Sequence, residues 1–194
     1  MKKLIALLCL CMGLQGIYAQ QKILDWSLAL LNDRTGESLP FATPVNLKQG
    51  DRYRFLVETN TDCFCYVVGE VSGDDMVVLR AQRLRARSLF YSDIIHIPSN
   101  VAVGSETFYI VISLTEQKPL LDKINVMQKG GTTVRNRRNV MNEIHNIRRE
   151  ISRFRETPET PVLMGGASRG VLSQIPAVHY SGLDTYVKVI TINH

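Results

Sequence analysis

Apolar and polar residues alternate over short runs along most of this chain, and that period of two constrains the fold more than any other feature of the sequence. Side chains on an extended strand point to opposite faces, so alternation marks strands with one face buried. DWSLALL sets Trp26, Leu28 and Leu30 on one face; RYRFLVE sets Tyr53, Phe55 and Val57 there, with Arg52, Arg54 and Glu58 opposite. TFYIVISL and TYVKVITI are apolar on both faces over much of their length, as expected of central strands in packed sheets. MVVLRAQ and DIIHIP read as shorter strands. Turn chemistry separates the runs: LKQGD before Arg52, VSGDD after Glu70, PSNVAVGS before Glu106 and SGLD before Thr185. About eight short strands with regularly spaced turns predict a mainly β protein, an antiparallel, immunoglobulin-like β-sandwich. Sustained strand-then-helix alternation, which a parallel α/β sheet requires, is missing, and this disfavours a Rossmann-type enzyme.

One region departs from the period of two. KPLLDKINVMQ carries Leu120, Leu121, Ile124 and Met127 at helical spacing, with Pro119 suited to a first helical turn. After KGGTT, the segment from about Arg137 to Arg155 places Val140, Ile144, Ile147, Ile151 and Phe154 at steps of three and four, the mark of an amphipathic helix. Pro158 and Pro161 in ETPETP end it. MGGASRG is expected to be a loop leading back to a last hairpin. The fold class expected is therefore a β-rich α+β sandwich with a helical insertion of one or two helices at about 118–156.

The first residues have Lys2 and Lys3 ahead of an apolar run from Leu4 to Leu14 and a short tail ending at Ala19, the pattern of a cleaved secretory signal over 1–19. The run is shorter than a bilayer-spanning helix, and no later stretch approaches about 20 apolar residues, so no transmembrane segment is expected. Cys9 and Cys11 follow leucines rather than small residues, which argues against a lipoprotein signal. The expected mature chain, 20–194, suits one domain with its own core. The net charge of +5 falls to +3 when the two signal lysines are removed. Between Lys129 and Arg155 lie eight basic residues against Glu143 and Glu150, so the rest of the mature chain is slightly acidic.

NLKQGDRYRFLVETNTDCFCYVVGEVSGDDMVVL, followed after a gap by GSETFYIVIS, resembles the bacterial family catalogued as domain of unknown function 4384. The matching positions are the Leu47–Asp51 turn, the strands through Phe55, Val57 and Tyr66, the Gly73 turn, Leu79, and Gly104 with Glu106 ahead of Ile110–Ser113. The resemblance implies a small β-sandwich module of exported or multidomain bacterial proteins, with no activity established for the family and no catalytic residues to carry over. This chain departs from it in its basic helical insertion and its extra C-terminal hairpin.

Two sets of residues invite a chemical reading. Cys63 and Cys65 stand two apart in CFCYVV; on an extended strand their Cα atoms lie roughly 6.6 Å apart, so a bridge between them needs a kink. Buried structural thiols, an intermolecular or strained disulfide, and a metal or catalytic role are the open readings, and core packing is the one expected. His96, His145, His179 and His194 are scattered and supply no paired zinc ligands. GGASRG lacks the spacing of a nucleophile elbow, and no phosphate-binding loop appears. No catalytic motif is found, and no cofactor or metal is expected.

The second set is basic. Arg83, Arg85 and Arg87 alternate, so on a strand they would share one exposed face; with Arg137, Arg138, Arg148, Arg149, Arg153 and Arg155 they would form a cationic surface for polyanions. The bland alternative is a solvated helix face. An exported protein meets lipid headgroups, cell-wall polymers, host glycans or acidic proteins rather than nucleic acid. The function expected is a non-enzymatic binding or assembly module of the bacterial cell envelope, in the periplasm or outside the cell, that meets an envelope protein or anionic polymer through its basic helices. The alternative is an envelope thiol enzyme using Cys63 or Cys65.

Overall fold

A computed structural model of the chain describes residues 22–71, 75–97, 104–152, 160–163 and 175–194. The expected signal segment and MGGASRG lie outside them. Twelve strands occur among the described residues: β1 (Leu24–Asn32), β2 (Ser38–Leu39), β3 (Val45–Asn46), β4 (Arg52–Thr59), β5 (Cys63–Val71), β6 (Asp75–Leu84), β7 (Ser88–Tyr91), β8 (Ile95–His96), β9 (Ser105–Ser113), β10 (Thr160–Leu163), β11 (Pro176–Gly182) and β12 (Thr185–Asn193). Two helices, α1 (Lys118–Gly130) and α2 (Val134–Ser152), lie between β9 and β10.

The strands form two sheets. The first runs β10-β11-β1-β4-β7, with β2 on β1 and β8 on β4; the second runs β3-β12-β9-β5-β6. All pairs are antiparallel except β3 with β12. The alternation read from sequence fills the space between the sheets. Trp26, Leu28 and Leu30 from β1 and Tyr53, Phe55 and Val57 from β4 meet Cys63, Cys65 and Val67 from β5 and Phe108, Ile110 and Ile112 from β9.

The other face of the second sheet is apolar too, because the helices cover it. Tyr66, Val68, Tyr109 and Val111 pack against Leu120, Ile124 and Met127 of α1 and Val140, Ile144 and Ile147 of α2. The molecule is thus a β-rich α+β sandwich with a third, helical layer. α1 has Pro119 in its first turn and ends at Gly131, whose φ of +81° suits a residue without a side chain. Lys123 and Glu143 form an ion pair between the helices. Val126 and Val134 remain exposed.

Three expectations need correction. The last two strands do not pair: β11 hydrogen-bonds to β1 in the first sheet, and β12 to β9 in the second, so the chain at Leu183–Asp184 crosses between sheets instead of closing a hairpin. A tight Gly-containing turn serves either connection, and nothing local separates them. MVVLRAQ belongs to a ten-residue strand, not a short one, because its pairing with β5 continues to Leu84. Finally, part of ETPETP is strand, since Thr160 and Pro161 begin β10, while residues 156–159 lie outside the described residues. That strand is terminal in its sheet, where a proline with no N–H is tolerated.

Candidate functional site

The position of α2 follows from its apolar stripe. Burying Val140, Met141, Ile144 and Ile147 turns the opposite face outward, where Arg135, Arg138 and Arg149 are exposed; Arg148 is exposed beside the buried stripe, near Tyr109. Arg137 is only half-buried, and its Nε is enclosed with no hydrogen-bond partner among the described residues. Arg153 and Arg155 lie outside the described residues. Of the two acids near these arginines, Glu143 is engaged by Lys123, which leaves Glu150 exposed in the last turns.

Asn142, His145, Asn146, Arg148 and Arg149 line an open cavity of about 740 Å³. Their side chains offer amide, imidazole and guanidinium N–H groups, a set suited to oxyanions. The floor is tied to the sheet. The His145 ring stands edge-on to Tyr109, with centroids 6.0 Å apart, and the Tyr109 hydroxyl donates to Glu70 Oε2 at 3.1 Å. Burial, then the charge and hydrogen bond of Glu70, push the Tyr109 phenol up to about 12, while Arg148 acts in the opposite direction. The phenol is therefore a fixed donor at neutral pH.

Arg83, Arg85 and Arg87 do not share a strand face, and this corrects the expectation drawn from their spacing. β6 ends at Leu84; Arg85 and Ala86 turn the chain out of the second sheet, and Arg87 has a left-handed φ of +59° before β7 begins in the first. Arg83 is held by Asp62 at 2.8 Å. The structure also separates the two arginine groups. α1 packs on the β6 side of the second sheet and α2 on the β12 side, so the arginines of α2 and those of the β6–β7 corner lie on different flanks.

Cys63 and Cys65 are free thiols buried between the sheets. Burial pushes the Cys63 thiol up to about 11 and raises that of Cys65 as well, so both are protonated at neutral pH. That is the environment of inert structural cysteines.

Two polar clusters escaped the sequence reading because their members are far apart in the chain. On the outer face of the first sheet, Ser27 Oγ lies 3.3 Å and Asp25 Oδ1 3.5 Å from His179 Nδ1. A serine triad needs the hydroxyl on one ring nitrogen and the carboxylate on the other. Here both reach the same nitrogen, and the histidine cannot relay a proton between them. Inside the sandwich, the Tyr53 hydroxyl donates to Glu106 Oε2 at 2.6 Å, and His194 Nε2 lies 4.0 Å from Glu106 Oε1, with all three side chains buried. Only the isolated polar residues in apolar strands hinted at this network. Among the described residues no group of three or more His, Cys, Asp or Glu side chains is arranged to hold a metal ion. His96 is exposed on β8.

No family model, curated protein or solved structure matches this chain.

Proposed function

We propose that the protein is a non-enzymatic binding or assembly module that engages anionic groups of the cell envelope through the outer face of α2. The observation that carries this reading is the pairing of a fully anchored inner stripe with exposed Arg135, Arg138, Arg148 and Arg149 beside the amide-lined and imidazole-lined cavity. A helix fixed by Val140, Met141, Ile144 and Ile147 holds the backbone of its arginines in place, and their planar guanidinium forks match the geometry of an oxyanion. Segregation of the chain's positive charge into this one insertion supports the same reading. The expected export signal supplies the setting: lipid phosphates, cell-wall polymers, sulfated glycans or acidic proteins are the anions at hand.

Retention on immobilised heparin, eluted with increasing salt, tests this. The wild-type chain is expected to elute later than the Arg148→Glu, Arg149→Glu variant, because displaced counterions make such binding fall steeply with salt. Elution that ignores salt, or that is the same for both proteins, would refute the reading.

A further inference from the structure

The edge of the first sheet carries a second feature, independent of α2. Around Phe90 the chain reads Arg87-Ser88-Leu89-Phe90-Tyr91-Ser92-Asp93, symmetric in character about its centre: serines at equal distances, apolar side chains at equal distances, and opposite charges at the two ends. Phe90 and Ser92 are buried, whereas Arg87, Leu89, Tyr91 and Asp93 are exposed. β7 has no neighbour beyond β4 among the described residues. The Ser92 N–H bonds to Phe55 O of β4 at 2.9 Å, and the alternation of a strand then turns the N–H and C=O groups of Leu89 and Tyr91 away from β4, toward the open edge.

We propose that this edge pairs antiparallel with the same edge of a second copy of the chain, about a two-fold axis at Phe90, joining the two first sheets into one. In that register Leu89 faces Tyr91 of the second copy, an apolar–aromatic cross-strand pair, and Arg87 faces its Asp93. Each contact occurs twice, as an isologous interface requires. Neither Arg87 nor Asp93 has an ion-pair partner among the described residues, so their complementarity is unspent within the chain.

The long edge strand β6 is protected by contrast. A register shift between Val67 and Val68 distorts its ladder, and the Arg80 guanidinium lies 4.5 Å from the Phe90 ring centre, a charge turned in toward the core side. Both are devices that discourage edge pairing; β7 has neither, and its four residues limit the pairing to a short stretch. The pairing also closes on itself. Arg87, in its left-handed conformation, bends the chain at one end; at the other, Asp93 and Ile94 together oppose the single residue Arg54 between the Phe55–Ser92 contact and the Tyr53–Ile95 pair. The result is a dimer, not a fibre.

Sedimentation equilibrium of the full mature chain over a range of concentrations tests this. The wild type is expected to associate reversibly into dimers, and Tyr91→Lys to weaken association at least tenfold. Arg87→Asp and Asp93→Arg, taken singly, place like charges opposite each other and are also expected to weaken it. The double variant Arg87→Asp, Asp93→Arg restores it, which a nonspecific effect on folding would not do. All three positions are exposed, and a thermal melt of each variant checks that its fold is intact. Arg148→Glu is expected to leave dimerisation unchanged, which separates this edge from the face of α2. A chain that stays monomeric at high concentration, or a charge swap that fails to restore the dimer, overturns the proposal.

Discussion

Tyr53 and Glu106 come from different sheets and meet in the interior, where the phenol donates to the carboxylate and His194 lies close by. A buried carboxylate stripped of a donor costs more than the hydrogen bond alone contributes, because its desolvation is no longer offset. Tyr53→Phe is accordingly expected to destabilise the fold by about 1–3 kcal/mol, read as a lower urea midpoint at unchanged slope; an unchanged midpoint would show the bond to be dispensable. The thiols give a second residue-scale prediction. Cys63 is shifted from 9.0 to about 11 by burial, so the unfolded chain gives up this proton at lower pH than the folded one. Its contribution is intact below pH 9 and is lost as pH climbs toward 11, by about 2–3 kcal/mol, in the same direction as Cys65 and the buried tyrosines. Urea midpoints measured below pH 9 and near pH 11 should diverge, and less so in Cys63→Ala; a flat profile would contradict the burial. The inward direction of both cysteines was legible in CFCYVV. Their neighbours across the core were not, because alternation fixes a face without naming what lies opposite.

Among the elements, β5 holds its most exacting contact at a glycine. Gly69 pairs with Phe108 of β9, and a Cβ built there would stand 2.4 Å from the Phe108 ring and 3.1 Å from Val77. The phenyl ring, packed among Tyr53 and Phe55, occupies the space a side chain would need. Gly69→Ala should therefore cost roughly 1–3 kcal/mol, through displacement of the ring and not through backbone conformation. Thermal denaturation of Gly69→Ala beside Gly69→Ala, Phe108→Leu can check this: the smaller partner should recover part of the loss, and if it recovers none the overpacking account fails. Element type was largely readable here, since periods of two and 3.6 are local. The arginine triplet shows where locality ends. Arg83, Arg85 and Arg87 alternate like a strand, but the strand stops at Leu84 and the next begins at Ser88, so only tertiary pairing decides which of them is in a sheet.

For the molecule as a whole, the crossing at Leu183–Asp184 changes what the C-terminal segment does. A terminal hairpin could be trimmed at modest cost, whereas β12 lies between β3 and β9, in register with β9 from Thr185 to Asn193. Ile190 and Ile192 sit between the sheets, Val187 and Val189 pack beneath the helices, and His194 exchanges backbone hydrogen bonds with Gly104 at 2.8 and 3.0 Å. One strand thus serves both hydrophobic layers and carries the chain's long-range closure, with β11 left behind in the other sheet. Removing residues 183–194 detaches β3 from the second sheet, exposes one flank of β9, and uncovers apolar surface on two sides at once. The loss far exceeds the 5–15 kcal/mol that holds a domain of this size folded. The truncated chain is expected to lose its cooperative melting transition and become sensitive to protease throughout, not only at its new end. A truncated protein that still melts cooperatively, with cleavage confined to its terminus, would instead mean that β9 and β5 close the sandwich without β12.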